Sequence, residues 1–283
     1  MRTGKKFLSS RKLYILDLTT ASIQIATLRG PSAVEMVRMM VDFGKNGDYD
    51  ITVYDEPSEL LAEMAGGKPD FAVMPTAAAK ALQARNVDYK IVATMIHGGL
   101  FVCGTDRSIA SINDLKGRTI HVMAGNTPPE MMLRHLISAA GMEPGKDVLF
   151  DSAFPTHKAL ANAAANGKTG LCLMSEPFVS QAVGENNNLH VLMDMAREWK
   201  NTEGSLPRVA SLFCKGTIAA KQPDTVKGIT GEIKRSCEWV KANPGEAAEA
   251  VVKLGLFENK KAIQASINNS YFDVIPYQPA QRK

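Results

Sequence analysis

The sequence predicts an α/β protein with two lobes, each a sheet flanked by helices, and a ligand cleft between them. The first observation behind this prediction is an alternation of short apolar segments with Ala- and Leu-rich segments, joined by short polar turns. The second is an internal similarity between two stretches of the chain, at residues 57–75 and 155–175.

The two similar stretches share one pattern. Each has a proline, a hydroxyl residue, an Ala/Leu-rich helix, a Gly-Lys pair and a short strand that ends in Met. The shift is one hundred residues, from Gly67-Lys68 to Gly167-Lys168. That period is too long for a solenoid and is typical of two similar lobes. The alternative is that any unit of helix, glycine and strand has this form.

The first series of elements alternates strand and helix three times. We expect strands at 22–28, 51–54 and 71–74, and helices at 33–41, 59–65 and 76–84. Ser32, Ser58 and Thr76 have the residue type of helix caps, and Gly66-Gly67 ends the second helix. This order implies a parallel sheet covered by helices.

The second series begins after two short apolar strands at 91–94 and 100–104, which flank His97-Gly98-Gly99. Four further strands are expected at 119–123, 148–151, 171–174 and 190–193, and helices at 130–140, 156–165 and 177–183. Residues 197–207 are polar and predicted to be irregular. A strand at 208–214 follows, and then helices to about residue 270, with breaks at Pro223, Pro244 and Gly255.

These elements predict that the chain crosses between the lobes twice, near 94–99 and 204–208. The first part of lobe one is then 22–96 and lobe two is 97–203. Residues 204–283 return to lobe one with the C-terminal helices. Rotation about the crossings is the expected way for the cleft to close.

Composition and motifs exclude several classes of function. The formal net charge of the 283 residues is +4, without basic runs, which does not indicate nucleic-acid binding. The four cysteines form no Cys-x-x-Cys pair, and those inside apolar runs have the character of buried hydrophobes. There is no Gly-x-Ser-x-Gly, phosphate loop or His-Glu-x-x-His. The sequence therefore predicts no catalytic residues, no metal and no cofactor, which favours a binding protein over an enzyme.

The N-terminal segment allows two interpretations. Lys5, Lys6, Arg11 and Lys12 lie in it, but it contains neither the apolar stretch nor the small-residue cleavage site of a signal peptide. Taken literally, the chain is cytoplasmic. The other interpretation is that the start is missing or mis-called and an export signal preceded Ala21.

The expected cleft is lined by loops at the carboxyl ends of strands, where open α/β sheets bind ligands. These loops are Gly30–Ser32, Pro75–Thr76, Gly125–Pro128 and Ser175–Phe178. Each leads into a helix start, whose unpaired N–H groups favour an anionic or strongly polar ligand group.

Ten residues are predicted to contact the ligand, because they lie in these loops, at the first crossing or at the cap of the helix 156–165. They are Pro31, Ser32, Pro75, Thr76, His97, Asn126, Thr127, Thr156, Glu176 and Phe178.

Several of these candidates have a structural alternative. Ser32, Thr76 and Thr127 could serve only as helix caps, and Glu176 could bind the first-turn N–H groups of its own helix. His97 is at the same time a candidate hinge hydrogen-bonder.

Three aromatic or histidine candidates lie in or beside these loops. Phe178 and Phe154 form either an aromatic wall or part of the core. His157 is a further candidate donor to the cleft.

Three segments resemble a known family. Residues 109–120 (IASINDLKGRTI), followed by Gly125-Asn126-Thr127-Pro128, resemble the entry to lobe two of substrate-binding proteins of nitrate, sulfonate and taurine ABC transporters. Residues 167–178 resemble the Glu-Pro segment of that family, and Leu28–Ser32 its first ligand loop. The family also contains thiamine-pyrimidine-precursor binders and a pyrimidine synthase marked by clustered cysteines, which this chain lacks.

The resemblance implies a type II periplasmic-binding fold and a solute-binding role by hinge closure. It also implies an ABC permease and its ATPase as partners, a periplasmic or cell-surface location, and a monomer. This chain departs from the family in three places: no export signal or lipoprotein cysteine is visible, Gly170 replaces the usual Asp or Ala, and the C-terminal stretch with Pro276 and Pro279 ends where relatives continue. The rival readings are a cytoplasmic enzyme of the same fold, of the menaquinone-pathway type, and a ligand-sensing module.

Overall fold

The computed structural model describes residues 22–43, 49–123 and 127–277. Its strands are Ile23–Leu28 (β1), Tyr49–Tyr54 (β2), Phe71–Pro75 (β3), Tyr89–Ile96 (β4), Leu100–Gly104 (β5), Thr119–His121 (β6), Leu149–Asp151 (β7), Leu171–Ser175 (β8), His190–Asp194 (β9), Ala210–Lys215 (β10) and Phe272–Pro276 (β11).

The helices of the described residues complete the chain order. They are Pro31–Glu35 (α1), Val37–Phe43 (α2), Pro57–Ala65 (α3), Ala78–Ala84 (α4), Pro128–Ala139 (α5), His157–Ala165 (α6), Phe178–Glu185 (α7), Met195–Glu203 (α8), Gly216–Lys221 (α9), Pro223–Ala242 (α10), Pro244–Lys253 (α11) and Lys260–Asn269 (α12), with a 3-10 turn at Ile112–Leu115.

The strands form two sheets with the same internal arrangement. The first has the order β11-β4-β10-β3-β1-β2, and the second has the order β9-β5-β8-β6-β7. In both, three neighbouring strands run parallel and the next strand, β10 or β5, runs antiparallel. The expected parallel sheet is confirmed for the strands of the first series, β1, β2 and β3. Each whole sheet is mixed, because each receives an antiparallel strand from the segment that enters it from the other lobe.

The internal similarity of the sequence reappears in the backbone. Gly67 and Gly167 end α3 and α6 with φ of 70° and 68°. The next N–H in each case bonds back over five residues, from Lys68 to the Glu63 carbonyl at 3.1 Å and from Lys168 to the Ala163 carbonyl at 2.8 Å. Both are Schellman ends, which glycine favours because it carries no Cβ. The strands that follow, β3 and β8, hold equivalent places in the two sheets.

Helices cover both faces of each sheet. In β3, Phe71 and Val73 belong to one buried cluster, whereas Ala72 and Met74 belong to another. In β5, Val102 likewise belongs to one buried cluster, whereas Phe101 and Cys103 belong to another. Alternate side chains of a strand point to opposite faces, so these divisions show two apolar layers per sheet. The prediction of two sheets flanked by helices is confirmed.

Residues 197–207 were predicted to be irregular, and this is wrong. They lie largely in α8, where the Asp194 carboxylate accepts from the backbone N–H of Ala196 at 2.9 Å and Gly204 ends the helix with φ of 76°. The helix is polar on average and was therefore predicted to be irregular, although its few apolar residues, Met195, Ala196 and Trp199, recur on one buried face at helical spacing.

The predicted helix 33–41 is broken into α1 and α2 at Met36. The Ser236 hydroxyl of α10 donates to the Glu35 carbonyl at 2.7 Å and accepts from the Met39 N–H at 3.3 Å. A side chain distant in sequence thus binds the backbone groups that the break leaves free.

The strand β11 was not predicted, since it is short and contains Asp273 and Pro276. It pairs antiparallel with β4 at the edge of the first sheet, a position where proline is tolerated because its missing N–H is not needed by a second neighbour.

The cap predicted at Ser58 is also wrong, since α3 begins at Pro57, two residues before the predicted start, with Glu56 in the cap position. Among residues 22–43, 49–123 and 127–277, no helix combines the length and the apolar character needed to cross a membrane.

Candidate ligand-binding cleft

The two chain crossings determine how the sheets face each other. Residues 97–99 join the carboxyl end of β4 to the amino end of β5, and Leu100 of β5 pairs with Ser175 at the carboxyl end of β8. On the return, Ala210 at the start of β10 pairs with Pro75 at the carboxyl end of β3. Both crossings therefore connect the carboxyl edges of the two sheets. Because three residues span at most about 11 Å, these edges lie close together beside the crossings, as the sequence predicted for a cleft.

The first crossing is tightly packed. A Cβ on Gly98 would overlap the Tyr271 ring and lie 3.0 Å from the Ala196 Cβ. The Tyr271 carbonyl accepts from the His97 N–H at 3.0 Å, and the Tyr271 hydroxyl donates to Asp194 at 2.8 Å. The segment before β11 thus packs on the crossing and on the start of α8.

His97 connects the two crossings. Its side chain is buried, with 5% exposed, and Nδ1 donates to the Pro207 carbonyl at 3.2 Å. Its Nε2 is buried without a partner in the part of the chain that the structure describes. The described contacts are internal hydrogen bonds at the crossings, which agree with the structural alternative for this histidine, and its contact with a ligand stays a prediction.

On the first sheet, Ser32 has a different role from the predicted helix cap. Gly30 occupies the cap position and α1 begins at Pro31. The buried Ser32 hydroxyl accepts from the Thr27 hydroxyl at 3.0 Å and donates to the Leu28 carbonyl at 3.2 Å. It therefore stabilises the end of β1, because its side chain turns back to the strand and not along the helix.

Thr76 is also not the cap of its helix. The helix α4 begins at Ala78 with Ala77 in the cap position. The Thr76 hydroxyl lies 2.8 Å from the Ser211 hydroxyl of β10. The preceding Pro75 ends β3 and is partly exposed, as is Pro31. The cleft edge of the first sheet thus presents hydroxyl groups and proline rings.

Arg29 is a residue that the sequence reasoning missed. It follows β1, forms an ion pair with Asp55 after β2, and donates to the Leu256 and Gly255 carbonyls at 2.7 and 3.2 Å. It thereby positions the loop that carries Phe257. Its place in the first ligand loop was the available signal.

On the second sheet, Thr127 and Thr156 occupy cap positions. Thr127 caps α5 without a side-chain cap bond, whereas the Thr156 hydroxyl accepts from the Ala159 N–H at 3.1 Å at the start of α6. Thr156 is exposed. The predicted contact Asn126 lies outside the described residues.

Glu176 is enclosed by hydrogen-bond donors. It is 1% exposed and accepts from the N–H and hydroxyl of Ser180, at 3.0 and 2.9 Å, and from the Asn269 amide at 3.0 Å. Burial raises the pKa of Glu176, while the bonds from Asn269 and Ser180 oppose that rise. The structural alternative, a carboxylate that binds its own helix start, describes these contacts. Because Asn269 belongs to α12, Glu176 also joins the two lobes.

Aromatic rings also connect the two lobes beside Glu176. Phe178 stacks on His157 with centroids 5.0 Å apart and an interplanar angle of 4°. Its ring also meets Phe257 of the first lobe at 6.2 Å, edge to face. At the ends of β6 and β7, His121 and Phe154 form a second ring pair at 5.6 Å. Rings of this kind are a wall on which a planar ligand can pack.

His157 is the histidine with the clearest electrostatic signature. It is largely enclosed, and this desolvation lowers the pKa of His157 to about 4. Its Nδ1 lies 3.4 Å from the Ser175 hydroxyl. The imidazole is therefore neutral at physiological pH.

Two open cavities lie away from the predicted contacts. One of about 710 Å³ is bounded by Arg134, Phe150 and Asp151 at the edge strand β7, and one of about 460 Å³ is bounded by Tyr49, Ile51 and Leu256 beside β2. In the described ranges, no group of three or more His, Cys, Asp or Glu residues is placed to hold a metal ion.

The family of the chain follows from its sequence. The model of the family described as NMT1/THI5 like matches residues 45–247. The chain belongs to the NMT1/THI5-like family. The resemblance found in the sequence motifs is thereby confirmed. A search of curated proteins gave no match.

Solved structures show which fold this NMT1/THI5-like chain has. An ABC transporter protein from Parabacteroides distasonis has a TM-score of 0.76 at 19% identity, over 91% of this chain and 87% of that one. The periplasmic aliphatic sulphonate binding protein SsuA from Escherichia coli has a TM-score of 0.74 at 14% identity, over 92% and 82%. The periplasmic nitrate-binding protein NrtA from Synechocystis has a TM-score of 0.63 at 14% identity, over 88% and 70%. The predicted type II periplasmic-binding fold is confirmed.

Proposed function

We propose that this protein is the solute-binding component of an ABC-type uptake system, which captures a small polar or anionic organic ligand between its two lobes. The observation that carries the proposal is the arrangement of the crossings, which turn the carboxyl edges of both sheets toward one another. This is the geometry of a cleft whose walls move relative to each other about a short hinge.

The mechanism is hinge closure driven by differential affinity. A ligand that contacts both edges stabilises the closed arrangement over the open one by the difference in its binding free energy. Direct contacts between the lobes, such as Phe178 with Phe257 and Glu176 with Asn269, add to the closed form. The hinge comprises the crossings at 97–99 and 204–209 and the Tyr271 segment packed on the first.

The ligand-binding residues are proposed from their place at the two edges. The contacts are assigned to Pro31, Pro75, Thr76, Thr127 and Phe178. Thr156, which is exposed beside His157, and Asn126 complete the set. The buried Ser32, His97 and Glu176 act on the cleft by positioning, since their described hydrogen bonds are internal.

We assign the residues 22–96 and 204–283 to lobe one and 97–203 to lobe two. The partners are an ABC permease and its ATPase, which receive the closed form of a monomer at the periplasmic or cell-surface side of the membrane. The family and the names of the similar structures, SsuA and NrtA among them, support this placement.

A thermal-shift screen of the full chain tests the proposal. Sulfonates, nitrate, thiamine precursors, flavins and chorismate-like acids are the probes. A ligand at 100 times its Kd adds about 2.7 kcal/mol of stability, which raises the melting temperature measurably. Small-angle scattering of the complex should then show a smaller radius of gyration.

Three results decide between the candidate roles. A ligand recovered unchanged from a compacted complex supports the binding protein. A ligand that is consumed identifies the same-fold enzyme instead. A tight complex with an unchanged scattering profile contradicts hinge closure.

A further inference from the structure

We propose that two adjacent residues at the end of α12, Asn269 and Ser270, set the balance between the open and closed forms of the protein before a ligand binds. Asn269 favours the closed form, and Ser270 favours the open form. The inference rests on the proposed hinge closure and adds to it a device that determines what fraction of the ligand-free protein is closed. Both are positioning residues, because their effect on a ligand is transmitted through the position of the lobes.

The segment formed by α12 and its flanking residues touches the second lobe through several side chains. The contacts are Phe257 with Phe178, Asn269 with Glu176 and Tyr271 with Asp194. All partners in these contacts are groups of the protein itself. They therefore stabilise the closed form whether or not a ligand is bound.

The bond between Asn269 and Glu176 joins two bodies that move separately. Asn269 is the last residue of α12, which buries Ile263 and Ile267 in the core of the first lobe. Glu176 lies two residues before the start of α7, which buries Val179 in the core of the second lobe. Neither helix can follow the other lobe without leaving its own core. Rotation of the lobes must therefore break this bond, since hydrogen bonds tolerate little change in distance and angle.

The same bond can open without leaving a charge unpaired. The Glu176 carboxylate is 1% exposed and also accepts from the N–H and the hydroxyl of Ser180, at 3.0 and 2.9 Å. Ser180 belongs to the same lobe as Glu176, so these two bonds remain when Asn269 withdraws. Asn269 is exposed, and its amide can then bind water. The Asn269–Glu176 bond is therefore a reversible latch, whose opening costs one hydrogen bond.

Ser270 opposes this latch. Its hydroxyl is buried without a hydrogen-bond partner among the described residues. It lies against the first crossing, 3.3 Å from the position that a Cβ on Gly99 would take. A buried hydroxyl without a partner is unfavourable, and a rotation that uncovers it allows water to bind. The same short segment thus contains one group that stabilises closure and one that destabilises it.

These opposed contributions bring the open and closed forms closer in free energy than the latch alone would. A ligand that binds only the closed form has an apparent affinity proportional to the fraction of protein that is closed. The latch therefore raises the affinity without a contact to the ligand, whereas the unpaired hydroxyl of Ser270 keeps the cleft accessible for entry.

The experiment measures the distance between the lobes of the full chain without ligand. Spin labels on Glu59→Cys and Lys146→Cys, both at exposed positions, report this distance by pulsed electron spin resonance. The four native cysteines are buried and should stay unlabelled. The substitutions are Asn269→Ala, Asn269→Asp and Ser270→Ala. The control is Asn268→Ala, which removes an exposed amide of the same helix turn that has no side-chain hydrogen bond to the described residues. Melting temperatures establish that each variant is folded.

We expect Asn269→Ala to lower the ratio of closed to open protein about tenfold, as for one lost hydrogen bond to a charged group. Asn269→Asp should lower the ratio further, because a second carboxylate then faces Glu176. Ser270→Ala should raise the ratio several-fold, because the unpaired hydroxyl is removed. Asn268→Ala should leave it unchanged. Opposite shifts from two neighbouring residues distinguish this balance from a general loosening of α12.

Three results overturn the inference. They are unchanged distances in both Asn269 variants, an effect of Asn268→Ala as large as that of Asn269→Ala, and a shift of Ser270→Ala toward the open form. The solute-binding function is decided separately by the ligand screen, because the distance measurements contain no ligand. The expected shifts in a protein for which that screen finds no solute would keep the balance between Asn269 and Ser270 and contradict the solute-binding function.

Discussion

The phenolic hydroxyl of Tyr271 donates a hydrogen bond to the carboxylate of Asp194 over 2.8 Å. Tyr271 directly precedes the edge strand of the first sheet, whereas Asp194 ends β9 of the second sheet and caps α8. One side-chain bond thus connects the lobes beside the segment on which they are expected to rotate. The proposed hinge therefore includes this side-chain contact as well as the two chain crossings.

Removal of this bond should loosen the hinge. We expect Tyr271→Phe to lower the free energy of unfolding by about 0.5–1.5 kcal/mol, because one partly exposed hydrogen bond is lost and the ring remains. Denaturant titration measures this change, and scattering should show a larger mean radius of gyration without ligand. Tyr54→Phe is the control, since its hydroxyl has no hydrogen bond to the described residues. Equal effects of both substitutions would contradict a role for the Asp194 bond.

Gly98 should tolerate no side chain. Gly98→Ala places a Cβ against the Tyr271 ring and 3.0 Å from the Ala196 Cβ. We expect a destabilisation of about 1–3 kcal/mol in thermal or denaturant unfolding, because the packed crossing must shift. Gly228→Ala on the exposed side of α10 meets no atom within 4 Å and should stabilise by up to about 1 kcal/mol. The double variant Gly98→Ala, Tyr271→Ala should recover much of the loss; failure to do so would assign the cost to the backbone.

Glu35 should make stability depend on pH. Its side chain is 0% exposed, both oxygens are among the buried atoms without a hydrogen-bond partner in the described residues, and burial raises its pKa from 4.5 to about 8. Cys237 and Lys241 of α10 oppose this rise, whereas Asp273 of β11 adds to it.

The sign of the effect follows from proton linkage. Between about pH 4.5 and 8 the folded state keeps a proton that the unfolded state has lost, so stability decreases as the pH rises, by up to about 1.4 kcal/mol per pH unit. Glu35→Gln should flatten this decrease in denaturant titrations across the window. Glu59→Gln, at an exposed site of α3, should leave the slope unchanged. An identical slope in wild type and Glu35→Gln would contradict a neutral, buried Glu35.

The four cysteines should be unreactive thiols in the folded protein. All are free and buried, and burial raises the pKa of Cys172 to about 11 and of Cys214 to about 12. Few thiolates are then available for attack. An aromatic disulfide reagent should titrate no thiol in the native protein and four after denaturation without reductant. Fewer than four in the denatured protein would indicate a disulfide.

The loop before α12 should depend on Arg29. Arg29→Ala removes two hydrogen bonds to the carbonyls of Gly255 and Leu256 and the ion pair with Asp55. We expect faster hydrogen exchange around Phe257, because its loop loses its anchor to the strand end. The substitution Asp55→Asn keeps the carbonyl bonds and should change exchange there much less. Similar exchange in both variants would assign the effect to the ion pair.

The regular alternation of the chain was readable from sequence because it depends on local signals. Apolar runs of strand length and glycine ends such as Gly67 and Gly167 determine β3, β8 and the helices before them. The three segments that resemble the family then indicated the type II periplasmic-binding fold. What depends on distant partners was not readable: the break after Glu35 comes from Ser236 of α10, and β11 exists only because β4 offers a free edge.

The candidate site, too, was predictable from sequence only in part. Loop positions at strand ends follow from topology, so the edges of the cleft were predictable. The direction of each side chain was not, because the Ser32 hydroxyl turns back to Thr27 and the Glu176 carboxylate meets Asn269 from another lobe. The role of Arg29 was not predicted, because the carbonyls that it binds, at residues 255 and 256, lie far along the chain.

The strand order also constrains how the polypeptide folds as it is synthesised. The strands β5 to β9 follow one another along the chain and complete their sheet among themselves. In the other sheet, β4 pairs only with β10 and β11. These two strands leave the ribosome only after all strands of the second sheet have been synthesised. The lobe begun first is thus the lobe finished last, and its exposed strand edges during that interval are where a chaperone would bind.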